Sequence, residues 1–254
     1  MIIMKLTGGL GNQLFQYVKG RALSVEKNTD LLLDTSWYRG RINRKYMLDN
    51  FNIQAGIANR FDTLVTRIFN KKDYIETDRV YDWQSEEYLN QVKYIILKEF
   101  TLKNKLSDTS EAVMQKIKSV NSVSIHLRGT DYVQGKKSSF HGACSKEYYE
   151  KAVQYMKNKV ISPHFFIFTD DIQWAKDYIK LPEMYTLISN TDYPQEDLIL
   201  MSGCRHNIIA NSTFSWWGAW LNKNHQKIVI SPQKWFNDSS INIDNLIPKS
   251  WMKM

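Results

Sequence analysis

From residue 112 onward, short apolar runs and amphipathic segments alternate with a regularity that few folds accommodate. Val123–Leu127, Phe165–Phe168, Tyr185–Ile188, Asn207–Ala210 and Lys227–Ile230 read as strands. Between them, Lys146–Asn158, Ile172–Tyr178, Glu196–Cys204 and Phe214–Leu221 read as helices. Such alternation implies a parallel sheet with helices on both faces, whose ligands bind beyond the strand C-termini. The chain opens the same way. Ile2–Leu6 is a strand, Thr7–Gly11 a turn, and Leu14, Tyr17, Val18, Ala22 and Val25 recur at helical spacing before a strand at Leu31–Leu33. Residues 36–90 have no clear rhythm beyond a helix at Asn59–Phe69, Tyr94–Leu97 reads as a strand, and the polar stretch 101–111 reads as a linker. Two α/β halves are therefore expected, 1–110 and 111–254.

Composition narrows the class. With 254 residues, 43% of them hydrophobic, each half can bury a core. No apolar run approaches the ~18–20 residues of a membrane span, and no secretory signal pattern precedes the first strand. Two cysteines, Cys144 and Cys204, make neither a disulfide framework nor a zinc site, which favours a reducing, cytoplasmic setting. The net charge of +8 is spread evenly: residues 1–110 hold 17 Lys+Arg against 13 Asp+Glu, and 111–254 the same numbers. That favours a phosphate-bearing small molecule over nucleic acid. After residue 110 the arginines are Arg128 and Arg205 alone, and a planar guanidinium suits gripping a phosphate.

Four segments carry the chemistry. The turn Thr7–Gln13 (TGGLGNQ) lacks the Lys-Ser/Thr of a P-loop, and Leu14 stands where a dinucleotide fingerprint needs Gly or Ala. A ligand-approach loop presenting Gly9, Gly11, Asn12 and Gln13, or a plain turn capped by Asn12, account for it equally. In Val123–Tyr132 (VSIHLRGTDY), His126 and Arg128 share one side of a strand end, with Asp131 just beyond. Phe165–Asp171 (FFIFTDD) ends in Asp170 and Asp171, which can cap the next helix or accept hydrogen bonds from a guanine edge. In Asn207–Leu221 (NIIANSTFSWWGAWL), Asn211, Ser212, Thr213, Phe214 and Ser215 stand at a helix start suited to a phosphate, while Trp216, Trp217 and Trp220 read as core.

Together these segments resemble the α-1,2-fucosyltransferases of glycosyltransferase family 11 from bacterial surface-polysaccharide pathways. GGLGNQLFQY, YDWQSEEY around Trp83, HLRGTDY, FTDD and HNIIANSTFSWWGAWL occur in the family's order from residue 8 to 221. The resemblance implies an α/β, GT-B-like fold: two Rossmann-like domains facing across a cleft, with residues 1–110 mainly on the acceptor side and 111–254 binding the donor. It implies inverting transfer of L-fucose from GDP-β-L-fucose to the 2-hydroxyl of a terminal β-galactoside in O-antigen or capsule synthesis. No cofactor and no metal are implied. The acceptor can be lipid-linked, with peripheral contact at the inner membrane; no nucleic acid partner is implied, and a protein acceptor is disfavoured.

Carried onto this sequence, the resemblance gives His126 to the nucleotide and Arg128 to the diphosphate. Asp170 or Asp171 goes to the guanine, Asn211–Ser215 to the donor pocket, and Gly9, Gly11, Asn12, Gln13 and Trp83 to the cleft. Arg128 is expected to stabilise the leaving group and Asp131 to act as base or to orient Arg128. One departure stands out: the family's second Arg of H-x-R-R-x-D is Gly129 here, and Arg205 is a substitute cation to consider. The rival readings are a fucosyltransferase of other linkage or acceptor, and a non-catalytic GDP-sugar- or RNA-binding protein.

Overall fold

The computed structural model describes residues 1–40, 44–76, 86–128, 144–180, 182–189, 193–237 and 246–254. The chain divides into two compact units, the first over Met1–Lys105 and the second taking up the chain at Leu106. In the first, β1 (Ile2–Lys5), β2 (Leu31–Asp34), β3 (Gly56–Ile57) and β4 (Tyr74–Ile75) form a parallel sheet ordered β3-β2-β1-β4. Helix α1 (Leu10–Glu26) lies so close to it that a Cβ on Gly20 would sit 2.9 Å from Leu31 Cδ1 and 3.1 Å from Met4 Cβ. Helices α2 (Arg60–Phe69) and α3 (Glu86–Glu99) follow, and α3 packs on α1.

The strand expected at Tyr94–Leu97 lies inside α3. Leu89, Val92, Ile96 and Phe100 are buried while Tyr94 is 83% exposed, so burial follows the helical period and not alternation. A four-residue apolar run samples barely one helical turn, too little to separate the two periods. The contact between α3 and α1 centres on Glu99, a buried carboxylate that accepts from the Tyr17 hydroxyl at 2.5 Å and from Arg21 Nε at 3.1 Å.

The second unit holds β5 (Asn121–Leu127), β6 (Pro163–Thr169), β7 (Tyr185–Ile188), β8 (His206–Ile208), β9 (Val229–Ser231) and β10 (Met252–Lys253). All pair in parallel, in the order β10-β9-β8-β5-β6-β7. This is the doubly wound dinucleotide-binding order, and the winding reverses between β5 and β8. Alternation along β5 assigns its faces. Val123, Ile125 and Leu127 pack with Phe165 and Ile167 against α5 (Lys146–Lys159) and α6 (Ile172–Tyr178). On the other face, Phe166, Phe168 and Ile188 meet α4 (Asp108–Ser119) and α7 (Pro194–Gly203) through Met114, Ile117, Leu200 and Met201.

Helix α4 was not expected, since its first turn falls in the polar stretch 101–111. That stretch is in part a helix start: the Ser107 hydroxyl caps Ser110 N at 3.4 Å. Ser107 is itself held by the buried carboxylate of Glu196, through its amide at 3.0 Å and its hydroxyl at 2.6 Å. Cap residues and linker residues are compositionally alike, so the sequence pattern does not separate them. In α8 (Thr213–Leu221) two of the three tryptophans are core: Trp216 and Trp217 are fully buried, edge to face at 5.1 Å, with Trp251 5.3 Å from Trp216, while Trp220 is half-buried.

Replacing Glu99 with Ala leaves the buried Tyr17 hydroxyl and the Arg21 guanidinium without their acceptor. A destabilisation of about 1–3 kcal/mol is expected, read as a lower urea midpoint at unchanged slope; an unchanged midpoint would contradict this role.

Candidate functional site

The crevice at the β5–β8 reversal is built from strand ends and a helix start. Pairing of Ile125 with Ile208 sets the chain after β5 level with the chain between β8 and α8. His126 and Arg128, two residues apart, both meet that segment: the His126 ring lies 5.7 Å from Phe214, and Arg128 Nη1 donates to Ser212 Oγ at 3.0 Å. Ser212 is the N-cap of α8 and makes no side-chain cap bond, so its hydroxyl is given to the guanidinium. Arg128 therefore stands at the positive end of the helix dipole, and the two together form an anion-seeking arrangement.

His126 is buried, its carbonyl held by the Tyr149 hydroxyl at 3.0 Å. Its Nδ1 is buried with no hydrogen-bond partner among the described residues. Burial first, and then the Arg128 charge, push its pKa down to about 3 against the opposing pull of Asp170. The ring is thus neutral, with one nitrogen to donate and one to accept. An unsatisfied buried nitrogen costs about 1–3 kcal/mol.

The remaining residues sort by what they touch. Asp171 caps α6, its Oδ1 accepting from Trp174 N at 2.9 Å. Asp170 is exposed and close enough to act on His126. Asn211 and Ser215, expected in the donor pocket, are buried and brace the turn. Asn211 Nδ2 donates to the Trp235 carbonyl at 3.1 Å and its Oδ1 accepts from the Cys144 thiol at 3.3 Å, while Ser215 Oγ accepts from Ala210 N at 3.2 Å. Thr213 and Phe214 stay half-buried in the first turn of α8. Arg205 is no substitute for a second arginine here. Its amide bonds the Ser122 carbonyl and its Nη1 bonds Asn121 Oδ1 at 2.9 Å, at the start of β5. The length of that strand, roughly 20 Å for seven residues, separates it from the crevice. Asp131, Gly129 and Trp83 lie outside the described residues.

In the first unit, the β1–α1 turn is capped by Gly9 and not by Asn12, which sits in the first turn of α1 with its amide on the Gly9 carbonyl at 3.0 Å. Gly8 takes φ +80°, open to glycine alone at little cost. A Cβ on Gly9 would meet nothing within 4 Å, so backbone is presented openly there. Gly11 is buried. Gln13, expected to face a ligand, is fully buried: its Oε1 accepts from Met47 N and its Nε2 donates to the Lys45 carbonyl, both at 2.9 Å. Gln16, which sequence reasoning passed over, holds the turn itself, its Oε1 accepting from Thr7 N at 2.9 Å and its Nε2 donating to Thr7 Oγ1 at 3.0 Å. A Gln one turn beyond a glycine turn was the available signal. Among the described residues, no three His, Cys, Asp or Glu side chains gather as a metal site would require, and no helix is long and apolar enough to cross a membrane.

A doubly wound α/β protein whose second sheet carries an anion-seeking site at its reversal is the class these features define. Residues 1–254 match the family model of Glycosyl transferase family 11, and the chain belongs to that family. It is 32% identical to an α-1,2-colitosyltransferase of Escherichia coli, over all of this chain and 99% of the relative. It is 31% identical to the O-antigen biosynthesis glycosyltransferase WbnK of Escherichia coli, over 95% of this chain and 98% of the relative. Among solved structures, NodZ from Bradyrhizobium, an α-1,6-fucosyltransferase co-crystallized with GDP, superposes with TM-score 0.55 at 14% identity, covering 85% of this chain and 90% of NodZ. The fold is accordingly α/β and GT-B-like.

Because His126 is held neutral, it links stability to pH. The unfolded chain protonates this ring below about 6.5, whereas the folded protein resists until about 3. The unfolded state binds the extra proton in that window, so the contribution is complete above 6.5 and is lost as pH falls. His126→Gln should lose less stability than wild type between pH 7 and pH 5 in urea titrations; equal losses would contradict the assignment.

Proposed function

We propose that the protein transfers L-fucose, with inversion, from GDP-β-L-fucose to the 2-hydroxyl of a terminal β-galactoside in surface-polysaccharide synthesis. The observation that carries the reading is Arg128 fixed on Ser212 at the start of α8, beside His126 Nδ1, which has no hydrogen-bond partner among the described residues. Family membership and the O-antigen relative support the pathway. NodZ, a fucosyltransferase crystallised with GDP, supports the nucleotide.

The chemistry is a single displacement at the anomeric carbon, in which the acceptor oxygen forms its bond as the bond to GDP breaks. Charge builds on the departing diphosphate, and the Arg128 fork and the α8 dipole meet it without reorganisation. His126, neutral, exchanges hydrogen bonds with the nucleotide. Asp170 or Asp171 takes the guanine edge, an assignment that rests on the family resemblance. Asp131 is the candidate to take the acceptor proton or, in the alternative, to orient Arg128. Gly9 and Asn12 are assigned to the acceptor on the family resemblance alone. No metal takes part.

A second reading has its own support: the relative matched over all of this chain is a colitosyltransferase, so a colitosyl donor in place of the fucosyl one is the competing substrate. A GDP-release assay with lactose as acceptor, run with each donor, separates the two. Binding without release from either would overturn the reading in favour of a non-catalytic GDP-sugar-binding protein.

Arg128→Ala should lower transfer by about 10²–10³-fold with the far-UV spectrum unchanged, and Arg128→Lys should recover only part, since the fork is lost. Transfer within tenfold of wild type would sink the assignment. Full activity is expected in EDTA, and its loss would restore a metal to the mechanism.

A further inference from the structure

Helix α2 turns its apolar residues away from the protein. Phe61, Leu64, Ile68 and Phe69 are 73%, 57%, 62% and 76% exposed, while the residue this helix buries is Thr66. At 100° per residue these side chains, with Val65, cover an arc of about 140°. The helix is not a frayed end. Asn59 and Asp62 close a capping box at its start, with Asp62 N on Asn59 Oδ1 at 2.8 Å and Asn59 N on Asp62 Oδ2 at 3.1 Å.

Cations border this stripe. Arg60 and Arg67 lie along one edge of it, and Lys71 and Lys72 are exposed directly after its end. Arg67 also reaches Glu76 at 3.7 Å. Beside the N-terminus of α2 a groove of about 200 Å³ is lined by Arg39, Arg60 and Arg67 with Ser36 and Thr63. Asp34, the carboxylate among its lining residues, is buried and engaged by the Tyr74 hydroxyl at 2.6 Å and Ser36 N at 2.8 Å. Three guanidinium groups around a small groove suit a phosphate.

An outward apolar stripe with a basic border has the polarity of a helix lying in a membrane interface. We propose that α2 docks the protein on a bilayer carrying anionic headgroups. Phe61, Leu64, Ile68 and Phe69 enter the acyl boundary, Arg60, Arg67, Lys71 and Lys72 stand at headgroup level, and the groove beside Arg39 takes a lipid phosphate. The occupant is chosen by charge complementarity: a second copy of this chain would bring cations against cations. The inference is independent of which sugar is transferred.

Co-sedimentation of the full chain with vesicles tests it. Wild type should bind phosphatidylcholine vesicles containing phosphatidylglycerol and should hardly bind phosphatidylcholine alone. Lys71→Gln with Lys72→Gln should weaken binding by about fivefold per cation removed. Phe61→Ser, Leu64→Ser and Ile68→Ser combined should abolish it, with an unchanged far-UV spectrum and unchanged GDP release on lactose. Failure of wild type to sediment with anionic vesicles, or sedimentation of the triple variant like wild type, would overturn the proposal. So would a wild-type dimer that the triple variant splits into monomers without vesicle binding.

Discussion

Reversal of strand order between β5 and β8 is the constraint on which the second unit depends. A right-handed crossover moving one way across a parallel sheet puts its helices on one face, and a crossover moving the other way puts them on the opposite face. Helices α5 and α6 therefore cover one side and α4 and α7 the other. The C-terminal ends of β5 and β8 are left without a covering helix directly between them. His126, Arg128 and the start of α8 stand at that gap, and the chemistry proposed for the protein follows from where the topology leaves strand ends open.

Buried polar contacts brace the second unit on both sides of its sheet. On one side of the sheet Asn207 Nδ2 donates to Ser124 Oγ at 2.7 Å and to the Met201 carbonyl at 2.9 Å, and Asn222 Nδ2 completes Asn207 Oδ1 at 2.8 Å. On the other, the Tyr148 hydroxyl donates to the carbonyl of Ile209 at 2.7 Å, and Tyr149 holds the carbonyl of His126. Cys144 joins this bracing, and burial pushes its thiol pKa up to about 11. Against these satisfied groups, His126 Nδ1 is buried with no hydrogen-bond partner among the described residues.

Much of the fold was legible because parallel strands buried on both faces read as continuous apolar runs. Tyr185–Ile188 and Ile172–Tyr178 match the elements residue for residue. Errors arose where composition is ambiguous: Tyr94–Leu97 inside a helix, and a helix start at Ser107–Asp108 that read as linker. Strands of two residues, such as β3, β4 and β10, are too short to leave a pattern. The site was legible as a neighbourhood but not atom by atom. Strand periodicity puts His126 beside Arg128, yet nothing in the string tells that Gln13 faces inward onto Lys45 and Met47, that Asn211 and Ser215 brace a turn, or that Arg205 lies at the far end of β5. Those outcomes depend on which hydrogen-bond partner the rest of the chain delivers.

A crystal structure of the protein with GDP tests the central claim most directly. The account predicts a phosphate oxygen about 2.7–2.9 Å from the Arg128 guanidinium at the start of α8, and a nucleotide group on His126 Nδ1. GDP bound elsewhere, with Arg128 still held by Ser212 and Nδ1 still without a partner, would contradict it.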